Sequence, residues 1–227
     1  MENQNVFLLG TTKYSDSDAI MHCYGKETGY CTYFSKGVYK SKKKAFLQPL
    51  LELNIVSIKG KGELLRASKI ELAKNQDLTT NIKSNSIVFF ISELLLNLVR
   101  HESQNSYLYK EIEVFGNKLE EECYYAHLVF LIQLLKLNGI APLITSERYL
   151  NPESGHFEET QINTYFNAEI SELWKIILLE DKVPYECKIA NKWRKDLLES
   201  IMIYYQYHFP HFKLPKSLEI IRQLFEE

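Results

Sequence analysis

Between Ser35 and Leu51 the chain has no acidic residue, although Asp and Glu (29) outnumber Lys and Arg (27) over its 227 residues. Other absences bound the problem. No two of Cys23, Cys31, Cys123 and Cys187 stand at the C-x-x-C spacing of a metal knuckle. No apolar run reaches about 18 residues without polar interruption, so no membrane-spanning helix is expected. The opening MENQNVFLLG has neither a basic n-region nor a long apolar core, and no signal peptide is expected. There is no internal repeat and no low-complexity tract. These absences fit a reduced, cytoplasmic protein. Cys23 and Cys31 stand where they can face each other across a hairpin, or serve as small core residues in strands.

What is present is ample apolar material, 45% hydrophobic and 13% aromatic residues, enough for one large or two small cores. The formal charge of −2 hides an asymmetry. Residues 1–75 carry 12 Lys/Arg against 7 Asp/Glu, and residues 76–227 carry 15 against 22. A basic first third on an acidic remainder points to two bodies with different partners. The cations concentrate: Lys36, Lys40, Lys42, Lys43 and Lys44 fall within nine residues, and Lys59, Lys61 and Arg66 follow after an apolar run. Such clustering on neighbouring connections of one β-unit is the electrostatic footprint of a polyanion site.

The periodicity predicts strands over residues 6–12, 18–24, 30–39, 50–58 and 64–73. The Gly25-Lys26-Glu27-Thr28-Gly29 segment reads as a hairpin loop with two positions suited to positive φ, and Gly37 as a bulge or close-approach site. Five short strands suit a small closed barrel of the OB-fold type. From about residue 76 the period changes. Helices are expected over 82–100, 106–118, 119–137, 163–179, 189–207 and 216–225, with Asn138-Gly139 as a C-cap and a polar loop over 143–161. The fold class is therefore α+β. An OB-fold nucleic-acid-binding domain over 1–78 precedes an all-α domain over 79–227.

Single-strand binders stack bases on aromatic rings beside a basic groove. Tyr14, Tyr24, Tyr30, Tyr33, Phe34, Tyr39 and Phe46 lie in or next to the barrel, and a period of two turns about half of them inward. Tyr33, Phe34 and Tyr39, which flank the start of the lysine run, are the candidate stacking rings. Other chemistry is poorly served. Lys59-Gly60-Lys61-Gly62 is too short for a phosphate-cradling loop and precedes no helix. His208 and His211 flank a proline turn, while Cys123 and His127 sit four apart on a helix without evident co-ligands. Asp16, Asp18 and Glu27 lack the spacing of a two-metal site, and Asp16 reads as a turn cap. Glu120-Glu121-Glu122 reads as a helix N-terminal turn. No catalytic set emerges, so an enzyme is not expected.

The order of these segments resembles the bacterial RecO family of recombination mediators. Thr12-Lys13-Tyr14-Ser15-Asp16-Ser17-Asp18 matches its Y-x-E/D-x-D segment. Ser35-Lys36-Gly37 matches a small residue, R/K and G ahead of a basic run. Leu47-Gln48-Pro49-Leu50 matches L-Q-P-F/L, and Gly60-Lys61-Gly62-Glu63-Leu64 matches G-x-G-x-L. The stretch from Arg194 to Leu198, Tyr204-Tyr205-Gln206-Tyr207-His208, Lys216-Ser217-Leu218 and Leu224 resemble the last helices of that family. The likeness runs from about residue 5 to 225.

The resemblance implies an OB-fold followed by a helical domain, and no enzymatic activity. It implies binding of single- and double-stranded DNA, annealing of complementary strands and, with RecR, loading of RecA onto strands coated by the single-strand binding protein SSB, whose acidic tail is a further partner. It places a bacterial, nucleoid-associated protein in the cytoplasm. The family's DNA-facing cations map onto Lys36, Lys40, Lys42, Lys43 and Lys44, and secondarily onto Lys59 and Lys61. The chain departs from the family at residues 141–157, APLITSERYLNPESGHF, where many relatives carry a four-cysteine zinc module and this chain has no cysteine. No cofactor is therefore expected, and the loop over 141–161 is expected to replace the module, held by Tyr149, Leu150 and Phe157. Two other classes stay open at this point, an OB-fold RNA- or ribosome-associated protein and a metal-dependent nuclease.

Overall fold

The computed structural model describes residues 2–59, 64–74, 78, 81–101, 104–180 and 184–224. The chain divides into two compact units, Met1–Glu120 and Glu121–Glu227. The change from strand to helix falls between residues 72 and 82, and the first unit continues past it to the end of its second helix.

Five strands build the first unit: β1 (Glu2–Lys13), β2 (Ala19–Gly25), β3 (Gly29–Ser35), β4 (Glu52–Lys59) and β5 (Leu65–Leu72). They close into a barrel in the order β1-β2-β3-β5-β4, with β4 returning antiparallel to β1 and a short parallel junction between β3 and β5. This is the five-stranded OB-type barrel. Its interior holds Val6, Leu8, Met21, Cys23, Tyr33, Leu53, Ile55 and Ile70, inward because residues two apart share a face of a strand.

In β1 four consecutive residues, Val6 to Leu9, are buried. Alternation alone cannot do this. A bulge between Leu8 and Gly10 and the cover of two helices do. The helices are α1 (Ile82–Leu98) and α2 (Ser106–Glu120). Phe7, on the outer face, packs its ring 4.7 Å from that of Tyr109 on α2, and Ser92 of α1 donates its hydroxyl to the Leu9 carbonyl. A Cβ on Gly10 would stand 2.8 Å from Leu96 Cδ1, so the bare backbone there lets α1 lie close against the barrel. Asn81 caps α1 by accepting the Ser84 N–H at 2.9 Å.

The expected strand over 30–39 is shorter. Pairing with β2 ends at Ser35, and Val38 and Tyr39 lie in a 3-10 turn. Gly37 is not a bulge. It takes a left-handed φ of 68° that turns the chain out of the sheet. Of the two hairpin glycines only Gly29 has positive φ. Cys23 and Cys31 are indeed cross-strand partners, with both thiols free. Burial pushes both thiols up, that of Cys23 well above its ordinary value.

The second unit is helical: α3 (Ala126–Leu137), α4 (Ala168–Leu179), α5 (Asn191–His208) and α6 (Leu218–Leu224). α3 is its axis, with every residue from Ala126 to Leu135 buried. Trp174 of α4 donates its indole N–H to Ser200 Oγ of α5 at 2.9 Å, both fully buried. Tyr205 of α5 donates to the Leu131 carbonyl at 2.8 Å. Arg222 of α6 forms a two-pronged pair with Glu199 at 2.6 and 2.7 Å.

The helix expected over 119–137 begins only at Ala126, because Glu122 takes a φ of 59° and interrupts it. Glu120 is the last residue of α2, so the three acids do not form a helix N-terminal turn. Asn138 caps α3, and Gly139 follows with a φ of 68°. The segment over 143–161 contains a small hairpin, β6 (Tyr149–Asn151) and β7 (His156–Glu158), where a loop is expected. Leu150 and Phe157 are paired in it and buried, while Tyr149 stays half-buried. Lys175 of α4 lies 4.7 Å above the Phe157 ring and donates to the Glu147 carbonyl. A hydrophobic pair and a lysine thus hold the segment. Among the described residues, no three His, Cys, Asp or Glu side chains stand together as a metal site, and no helix is long and apolar enough to cross a membrane.

Candidate nucleic-acid interface

The basic loop leaves β3 at Ser35 and re-enters the barrel at β4. Its backbone is pinned at several points. Val38 is buried. Ser41 donates its hydroxyl to the Val38 carbonyl at 3.1 Å and accepts the Lys43 N–H at 3.2 Å, which caps the second 3-10 turn, Lys42–Phe46. Phe46 and Leu47 pack against the barrel core. Leu50 is buried at a left-handed φ of 60°, and its N–H reaches the Leu8 carbonyl at 2.6 Å.

With the backbone fixed inward, the lysines point outward. Lys36, Lys40, Lys42 and Lys44 are exposed and Lys43 is half-buried. Among the described residues, no carboxylate pairs within 4 Å with these five, with Lys59 or with Arg66. Close ion pairing with the described residues thus does not neutralise their charge, the condition for counterion release on meeting a polyanion.

The connection from β1 to β2 lies against this loop. Asp18 accepts the Gly37 N–H at 2.7 Å and the Ser17 hydroxyl at 2.8 Å. These bonds and the nearby Lys36 hold its carboxyl below the usual range, the Gly37 N–H having the largest effect. Asp16 pairs instead with Lys13 at 3.0 Å. The turn cap is Ser15, whose Oγ accepts the N–H groups of Ser17 and Asp18.

On the outer wall, Phe34 of β3 is in register with Ile20 of β2 and with Arg66 of β5. Tyr14 meets Phe34 edge-on, centroids 5.2 Å apart. Tyr14 is 65% exposed and Arg66 is exposed. Ring, ring and guanidinium therefore share one open face at the end of the barrel wall. Lys59 closes β4 two residues after Ser57 and pairs in register with Leu65, beside Arg66. Lys61 lies outside the described residues.

The candidate rings separate. Tyr33 is fully buried in the barrel, its hydroxyl accepting from the Gln4 amide, and burial raises its phenol well above the ordinary value. It has no free face for a base. Phe34 and Tyr39, both half-buried, are on the outside. The Tyr39 N–H is held by the Ser17 carbonyl at 3.1 Å. Tyr14 joins the patch although its sequence position, outside any strand, does not single it out. Of the other aromatics, Tyr24 is buried against Asn105, and Tyr30 holds His22 Nδ1 at 2.6 Å while Thr12 meets the other ring nitrogen at 2.8 Å. Burial and Arg100 lower the His22 pKa.

Known proteins match this chain over nearly its whole length. The family described as Recombination protein O N terminal matches residues 1–76, the whole barrel with its basic loop. A DNA repair protein RecO of Christiangramia forsetii is 31% identical over 96% of this chain and 96% of its own length. The chain belongs to the RecO family. Two further relatives named DNA repair protein RecO, from Flavobacterium psychrophilum and Flavobacterium johnsoniae, are 28% and 27% identical, again over 96% of each chain. Because the likeness runs the length of both units, the helical second half is a RecO half too. The outward lysines and the Phe34–Arg66 patch lie inside the part that the RecO N-terminal family covers.

Proposed function

We propose that this chain is a recombination mediator in DNA repair. It draws single and double strands onto the outer barrel face, holds bases on Phe34, Tyr14 and Tyr39, and lets two complementary strands pair there. With RecR it assists loading of RecA onto SSB-coated DNA, contacting the acidic SSB tail. The chain works by binding, and no bond of the DNA is made or broken. One observation carries the reading: seven cations on this face have no close carboxylate partner among the described residues, and five of them ride on a loop whose backbone is pinned to the barrel. Phosphate contact is sequence-independent and positions a strand without reading it, as annealing requires.

The test is fluorescence anisotropy of a labelled oligonucleotide, single-stranded and duplex, across a salt series. Binding that weakens linearly in log salt supports the reading. Reversal of Lys42, Lys43 and Lys44 to Glu should reduce the slope by about 0.7 on single strands, and about 0.9 on duplex, for each phosphate no longer neutralised. An unchanged slope sinks the loop assignment. Competition by RNA of the same sequence that outruns DNA would transfer the face to RNA, whose 2′-hydroxyl is the distinguishing group.

A further inference from the structure

An acidic residue stands against the root of the basic loop. By Coulomb's law a carboxylate there repels the phosphates that the lysines attract. Yet Asp18 is tied in more firmly than any lysine around it. Its carboxylate takes the Gly37 N–H and the Ser17 hydroxyl, and its own carbonyl takes the N–H groups of Tyr14 and Ser15 at 3.0 and 3.2 Å. The neighbouring Ser17 carbonyl takes the Tyr39 N–H. The residue therefore joins the two parts of the surface, the turn that carries Tyr14 and the loop that carries Lys36 and Tyr39. Gly37 sits at a left-handed φ in open space, with nothing within 4 Å of where a Cβ would stand. No side-chain clash sets that conformation; the Gly37 N–H is fixed by Asp18, its carbonyl accepts the Lys40 N–H at 3.2 Å, and the next residue, Val38, is buried.

We propose that Asp18 is the positioning residue of the nucleic-acid face: the acceptor at position 18 sets the path of the basic loop, so that its lysines meet successive phosphates together while Tyr14 is held beside Phe34. Asp18 itself touches no DNA. This rests on the reading of the basic loop as the phosphate-binding element.

The two roles open to Asp18 predict opposite signs. If it acts only as a misplaced negative charge, Asp18→Ala and Asp18→Asn both tighten DNA binding. If it positions the loop, Asp18→Ala weakens binding roughly tenfold and lowers the salt slope by about 0.9 for each duplex phosphate no longer neutralised. Asp18→Asn, which keeps an oxygen acceptor for the Gly37 N–H, returns the affinity and slope to wild type or above. Asp18→Ala that binds as tightly as wild type with the same slope overturns the proposal, as does Asp18→Asn no better than Asp18→Ala. Should Asp18→Ala not fold, the wild-type protein provides a second readout. The Gly37 amide proton should exchange slowly by NMR, and exchange at the rate of an unbonded amide overturns the proposal. Wild type that fails to bind DNA defeats the underlying reading, whereas wild type that binds alongside unaffected variants defeats only the role of Asp18.

Discussion

Phe34 and Arg66 are partners in the parallel junction of β3 and β5, so an aromatic ring and a guanidinium leave the barrel wall on the same face. The two should contribute differently. Phe34→Ala is expected to weaken single-strand binding by about 1–3 kcal/mol if one base stacks on the ring, and duplex binding less. Arg66→Ala is expected to lower the salt slope instead. Anisotropy titrations of both variants on both strand forms separate the effects. Equal losses on single and double strands for Phe34→Ala would mean that no base stacks on Phe34.

Tyr33, one residue earlier, should behave as core. Tyr33→Ala removes a fully buried ring and should cost roughly 3–5 kcal/mol of stability. Tyr33→Phe loses the bond from the Gln4 amide and the weaker one from the Cys31 thiol, about 1 kcal/mol in all. Urea unfolding gives both numbers. Folded Tyr33→Phe should bind DNA like wild type, and a selective binding defect would return Tyr33 to the interface.

In the second unit the buried indole of Trp174 depends on a single hydroxyl. Ser200→Ala leaves that N–H without its acceptor and should destabilise by about 1–3 kcal/mol. Adding Trp174→Phe, which removes the donor too, should cost less than the two single losses combined. Simple additivity in a double-mutant cycle would show that the bond contributes nothing beyond its parts.

His127 on α3 supplies a pH signature. Its Nδ1–H donates to the Tyr124 carbonyl at 2.7 Å. Burial drives its pKa from 6.5 down to about 3. A histidine whose folded pKa is depressed takes up more protons when unfolded, so stability rises with pH across that window. The contribution is complete above the unfolded value near 6.5 and is lost as pH falls toward about 3, at roughly 1.4 kcal/mol per unit. His127→Phe should flatten the stability curve between these limits relative to wild type. Parallel curves for the two proteins would disprove the assignment.

Local chemistry was legible in advance. Five lysines in nine residues form a basic loop whatever the fold, because they are neighbours in the chain. The helical period of Ile82–Leu98 and the Asn138-Gly139 cap likewise depend on near neighbours, and both stand where expected. So does the five-strand barrel, whose strands announce themselves by alternation and turns.

The phase of β3 was not legible. Tyr30, Thr32 and Phe34 on one face and Cys31 and Tyr33 on the other are all plausible core residues, so polarity cannot decide which side turns inward. Pairing with β2 and β5 decides it, burying Tyr33 and leaving Phe34 half-buried on the outer face. The early end of β3, the break at Glu122 and the small hairpin over 149–158 also come from backbone conformations that side-chain periodicity does not encode.

The composition of the surface follows from the order of residues: where the cations lie along the chain, that no acid interrupts them from Lys36 to Leu50, and which family's segments they belong to. Which residues share that surface follows from the folded chain. Arg66 reaches Phe34 through strands that are not consecutive, and Asp18 reaches Gly37 across 19 residues of chain. Contacts of that kind depend on how strands close into a barrel, and no local pattern of residues records the closure.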